Sequence, residues 1–159
     1  MPKKGNYMVQ KDMLKSIVFF EDLSDEMLER MAAIADLRHY TEGEYLNKRR
    51  NPADNFYIIL EGAISLETED ITGKKHNLET LMAGAALGFS SLIETESKRY
   101  LCDARVITTP TRTLRFRASD LISMFYLDFE LGFLIMKKIA LIAKRRLLYR
   151  TLPLASLTA

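Results

Sequence analysis

The sequence predicts an α+β domain: an antiparallel, jelly-roll-like β-roll with N-terminal helices before it and a long C-terminal helix after it. The first observation behind this is a change of period. Apolar residues recur at helical spacing in the first third, at period two in the middle, and at helical spacing again to the end. The second is the punctuation of the middle by Glu61-Gly62 and Thr72-Gly73, which reads as turns between short strands. The third is length. With 159 residues the chain can bury one substantial core.

Residues 1–13 are expected to be an N-terminal extension, and the domain proper to run over 14–150. Met13, Leu14, Ile17 and Val18 fit a first helix, and "FFEDLSDEMLERMAAIADL" a second. Ser24 is the expected N-cap, with Asp25 and Glu26 placing negative charge at the positive end of the helix dipole. Leu28, Met31, Ala32 and Ala35 then share one face.

The stretch "NFYIILEGAISLETEDITGKKHNLE" reads as a strand meander. Ile64 and Leu66 alternate with Ala63, Ser65 and Glu67, as in a strand with one buried face. Leu114 and Phe116 alternate likewise with Thr113, Arg115 and Arg117. Ser119 is the expected cap of "DLISMFYLD". A long helix follows from about Phe129 to Arg150, with apolar residues on more than one face. One face is expected to pack on the β-roll. Ile135, Ile139 and Ile142 hold a 4-3 spacing that continues to Tyr149 but is interrupted by Arg146, and they are the expected seam of a homodimer. Lys144, Arg145, Arg146 and Arg150 suit the negative end of the helix. Residues 151–159 are expected to form a frayed tail.

Bulk chemistry narrows the function. The 23 Lys and Arg against 21 Asp and Glu give no basic footprint for nucleic acid. The single Cys102 rules out an internal disulfide framework and fits a reducing cytoplasm. "LGFLIMKKIALIA" is broken by Lys137 and Lys138, so no membrane span or membrane partner is expected. His39 and His76 stand far apart, and no His-Xaa-His pair, Walker-type loop or Ser-His-Asp arrangement is present. No metal site and no catalytic residue are expected, and a haem-ligand role for Cys102 or His76 is not expected.

The turn "LGFSSLIE", residues 87–94, is the local feature with binding chemistry. Gly88 permits a backbone shape or a close approach that a side chain would block. Ser90 or Ser91 can cap a helical turn whose N–H groups point outward, an arrangement that attracts phosphate.

Several segments in order carry a resemblance. They are "FFEDLSDEMLERMA", "YTEGEYLNKRRNPADNFYIILEGAISL" with Gly43-Glu44, Asp54, Tyr57, Ile59 and Gly62, and "LETLMAGAALGFSSL". The chain resembles, from about Leu14 to Arg150, the cyclic nucleotide-binding domains of catabolite activator protein and its relatives. The resemblance implies the β-roll fold and makes "LGFSSLIE" the phosphate-binding cassette. In that family a glutamate after the glycine binds the ribose 2′-hydroxyl, and an arginine about ten residues on pairs with the phosphate. Gly88 matches the glycine, but Phe89 stands in place of the glutamate, and Leu101 or Cys102 in place of the arginine.

Phe89 cannot accept from a ribose hydroxyl, which costs about 1–3 kcal/mol if that hydroxyl is buried unpaired. A lost arginine–phosphate pair costs at least as much. Together they remove roughly two to four powers of ten in affinity. Arg99, or Arg105 on the same expected strand, could substitute. The expected function is a non-catalytic small-molecule sensor or regulatory domain. Its ligand is a weakly held cyclic nucleotide or another phosphate-bearing anion. The alternative is a nucleotide-independent dimeric interaction module. Transcription-regulating relatives carry a winged helix-turn-helix after the long helix. This chain stops at Ala159, so direct DNA binding is not expected.

Overall fold

The structure, a computed structural model, describes residues 8–93 and 97–156. Residues 1–7 of the expected extension and 157–159 of the expected tail lie outside the described residues. Helix α1 (Lys11–Lys15) buries Leu14 and is followed by a 3-10 turn, Val18–Phe20, that buries Phe19 and Phe20. Phe19 and Phe20 meet edge to face at 5.1 Å. The Ser24 hydroxyl accepts from Met27 N at 3.2 Å and starts α2 (Asp25–Ala33), as expected. Ala35 lies beyond that helix as the first residue of β1, and Met27 joins Leu28, Met31 and Ala32 on the buried face.

Among the described residues, eight strands form two antiparallel four-stranded sheets. They are β1 (Ala35–Tyr40), β2 (Tyr45–Asn47), β3 (Asn55–Glu61), β4 (Ala63–Glu69), β5 (Lys75–Met82), β6 (Ala86–Leu87), β7 (Asp103–Val106) and β8 (Thr111–Arg117). One sheet runs β1-β8-β3-β6 and the other β2-β7-β4-β5. The β4–β5 hairpin fits the expected meander, but β3 and β4 belong to different sheets. Between them Gly62 (φ 88°) turns the chain, packed so tightly that a Cβ there would collide with Thr108, Thr111 and the Pro110 carbonyl.

Period two on β3 explains the layering. Phe56 and Ile58 face a core shared with the helices, while Tyr57 and Ile59 face the interior of the roll with Ile64, Leu66 and Leu81. β4 departs from the expected single buried face, because Ser65 and Glu67 are buried too. Each has a polar partner that makes this tolerable: Asn77 donates to Ser65 Oγ at 2.5 Å, and Arg105 grips Glu67 through two nitrogens at 3.0 and 2.7 Å.

Helix α3 (Ala118–Leu127) starts without a side-chain cap, its N-cap position being Arg117 rather than Ser119. Helix α4 (Phe129–Ser156) is introduced by Asp128, which accepts from Leu131 N at 3.0 Å and pairs with Arg30 of α2. The helix continues past Arg150, where it was expected to end, to Ser156. Leu131, Ile135 and Ile139 are buried in the helix-side core, and Ile142 packs against it half-buried. The expected dimer seam is corrected here. Ile135, Ile139 and Ile142 cap their own β-roll, because this is the α4 face that meets Phe20, Phe56 and Phe116 in one core.

Candidate functional site

Strand β6 ends at Leu87, and Gly88 then takes a left-handed conformation (φ 87°, ψ 26°). A Cβ at Gly88 would stand 2.6 Å from the Asn55 carbonyl oxygen, so the position needs glycine for both its φ and its space. A one-turn 3-10 helix, Phe89–Ser91, follows. Neither serine caps it. Gly88 occupies the N-cap position, and the fully buried Ser91 donates its hydroxyl back to the Gly88 carbonyl at 2.7 Å. Ser91 therefore tightens the turn from inside.

Gly88, Phe89 and Ser90 border a cleft of about 320 Å³ between the roll and α4. Leu101 and Cys102 line it as well, at the positions where an arginine was expected. Most of the remaining wall is apolar, from Leu66, Leu78, Leu87 and Tyr100. Asn47 donates to the Cys102 carbonyl at 2.9 Å and so fixes this wall to β2. Tyr100 both donates to the Asn55 carbonyl (2.9 Å) and accepts from Asn55 N (3.0 Å), tying the wall to the strand that Gly88 packs on. Burial pushes the Tyr100 hydroxyl and the Cys102 thiol above their ordinary pKa values, so both stay protonated at neutral pH.

The two candidate substitutes for the missing arginine are elsewhere. Arg99 donates to the Arg50 carbonyl at 2.6 Å, drawn there by a backbone bridge between Arg99 and Pro52. Arg105 is committed to Glu67. Neither borders the cleft.

The cations of the cleft come instead from α4: Arg146 and, one turn on, Arg150. Arg146 donates to the Ala86 carbonyl at 2.6 Å, and its guanidinium carbon stands 5.0 Å from the centroid of the Phe89 ring. Its Nε is 3.1 Å from Glu79 Oε2, an ion pair in which the N–H is not directed at the oxygen. Burial lowers the Arg146 pKa below its ordinary value, with the Glu79 charge opposing the shift. From sequence alone Arg146 reads as an end-of-helix charge. Its distance from the cassette along the chain hid the contact. The signal that was there is a single cation interrupting an otherwise apolar helical face.

The chain matches the model of the cyclic nucleotide-binding domain family over residues 37–126. It is 30% identical over 89 residues to cGMP-dependent protein kinase, isozyme 1, of Drosophila melanogaster. That match covers 54% of this chain and 11% of the kinase, so the chain spans about a tenth of that relative. Among solved structures it resembles a putative cyclic nucleotide-binding protein from Geobacter metallireducens (TM-score 0.76, 28% identity, 88% of this chain and 99% of that one). It also shares the fold of the sensor domain of the transcriptional regulator DNR from Pseudomonas aeruginosa (TM-score 0.69, 21% identity, 86% and 90% covered).

Proposed function

The chain belongs to the cyclic nucleotide-binding domain family, and from that premise we propose that it is a non-catalytic sensor domain that holds cyclic AMP and cyclic GMP weakly and takes another small anion. One observation carries this reading. The position that should accept from a ribose hydroxyl is Phe89, and an arginine of α4 lies over its ring. A ribose placed there meets an apolar face and a bound cation instead of a carboxylate. The cleft nevertheless keeps a ligand-sized volume and two guanidinium groups. Titration calorimetry with cyclic AMP and cyclic GMP tests it. Dissociation constants weaker than about 100 µM are expected from the two lost partners. A submicromolar constant overturns the reading.

The same helix supports a homodimer through a different face from the isoleucines. Phe129, Phe133, Met136, Ala140, Ala143 and Leu147 repeat at alternating spacings of four and three. Phe129, Phe133 and Leu147 are well exposed, at 76%, 66% and 65%. An exposed apolar seam of this length is unusual on a monomer surface and suits a second copy of α4. The alternative, a dimeric module that needs no ligand, shares this seam. It is separated by melting temperature, which a sensor raises on binding and an interaction module does not.

A further inference from the structure

Arg146 is buried at a place where its partners do not fully serve it. The side chain is 14% exposed, its Nε lacks an aligned acceptor, and Glu79, the carboxylate beside it, has an oxygen in the same condition. A largely enclosed cation with an imperfect ion pair gains from a further counter-charge in the cleft. The charge count gives the ligand's sign. Arg146 and Arg150 bring two positive charges and Glu79 one negative, and among the described residues no carboxylate lines the cleft. The wall around them gives the ligand's body: Leu66, Leu78, Leu87 and Leu147 offer surface for carbon and few donors or acceptors for sugar hydroxyls.

We propose that the cleft takes a small molecule with an apolar body and one acid group, the acid held by Arg146 of α4 and the body by the leucine wall. This rests on the sensor reading of the same cleft and names the ligand class for it. Arg146 replaces the anion-binding arginine that the cassette lacks, and Phe89, which offers a ribose no acceptor, is the platform that holds its guanidinium. The acid group meets the guanidinium fork of Arg146 at the cleft wall, and that fork suits a carboxylate or a phosphate equally.

The test is calorimetry on the full chain with 1-naphthoate, its neutral analogue 1-naphthamide, and cyclic AMP. Naphthoate is expected to bind about tenfold or more tighter than the amide, the usual weight of a charge-assisted contact. Arg146→Gln is expected to abolish that preference and Arg146→Lys to keep part of it, with thermal melts confirming that both variants fold. Equal binding of acid and amide, or a preference that survives Arg146→Gln, overturns the proposal. Submicromolar binding of cyclic AMP with none of naphthoate overturns both the ligand class and the weak-nucleotide reading on which it rests. If none of the three binds, the ligand class falls, while the absence of cyclic AMP binding is what the sensor reading itself expects.

Discussion

Arg146 of α4 stacks on Phe89 of the cassette turn, 5.0 Å from guanidinium carbon to ring centroid, and donates to the Ala86 carbonyl two residues before Gly88. The long helix is thereby latched to the one turn that would contact a ligand. Phe89 also stacks on Phe56 (6.1 Å, 26°), which belongs to the helix-side core. Core, cassette and helix are thus joined through three side chains.

That latch predicts the outcome of restoring the family pattern. Phe89→Glu places a carboxylate beside Arg146, and Leu101→Arg places a cation at a position that is 80% exposed and tolerates a long side chain. The double variant is expected to bind cyclic AMP at least about tenfold more tightly than the parent chain, by recovering a hydroxyl acceptor and a phosphate partner. Calorimetry on both proteins checks it. An unchanged affinity means that Arg146 neutralises the new glutamate before a ribose reaches it.

Gly88→Ala is expected to be among the most damaging single-methyl additions in the domain. The residue must keep φ near 87°, and its new Cβ would lie 2.6 Å from a backbone oxygen of β3. Strain of this kind costs on the order of 1–3 kcal/mol, before the clash is counted. Urea denaturation should show the midpoint falling with little change in slope. A control at Gly84, also at positive φ but with open space around it, should lose less.

Glu67 predicts a specific acid sensitivity. Arg105 and the Ser65 hydroxyl hold its carboxyl below the ordinary value of 4.5, with burial opposing them. The folded-state pKa therefore lies under the unfolded one, and the unfolded chain binds more protons between the two. Stability from this group is present above about pH 4.5 and is lost as pH falls through the folded value. Glu67→Gln should flatten the fall of stability below pH 4.5, measured as the urea midpoint at successive pH values. An identical pH profile in the variant removes Glu67 as a source of the acid sensitivity.

The order of helices, roll and helix was legible because period and turn residues are local properties. Ser24 needs only its neighbours to act as a cap, and Gly88 only its own φ. What was not legible depended on partners distant in sequence. Nothing near Gly62 tells that β3 and β4 will leave it into separate sheets, since Thr108, Pro110 and Thr111 make that corner. Arg99 and Arg105 are both arginines near the expected place, and only their partners Arg50 and Glu67 reveal that they are engaged elsewhere. Arg146 could not be assigned to the cleft until α4 was laid against the cassette.

The same limit decides the dimer face, and the two faces predict opposite results. Ile135, Ile139 and Ile142 satisfy a 4-3 repeat, and so do Phe129, Phe133, Met136, Ala140, Ala143 and Leu147. A helix apolar on more than one face fits two orientations by period alone, and packing chooses between them. Ile139 is 3% exposed and belongs to the helix-side core, whereas Phe133 is 66% exposed. Ile139→Asp buries an unpaired charge in the protomer itself and is expected to unfold it rather than merely separate two copies. Phe133→Asp puts the charge on the outer seam, where it is solvated in a monomer and desolvated only in a dimer. Sedimentation at tens of micromolar should therefore show a dimer for the parent chain and a monomer for Phe133→Asp. Its circular dichroism should remain native, while Ile139→Asp loses its cooperative melt. A monomeric parent chain ends the dimer proposal, and a Phe133→Asp variant that still dimerises moves the contact off this seam.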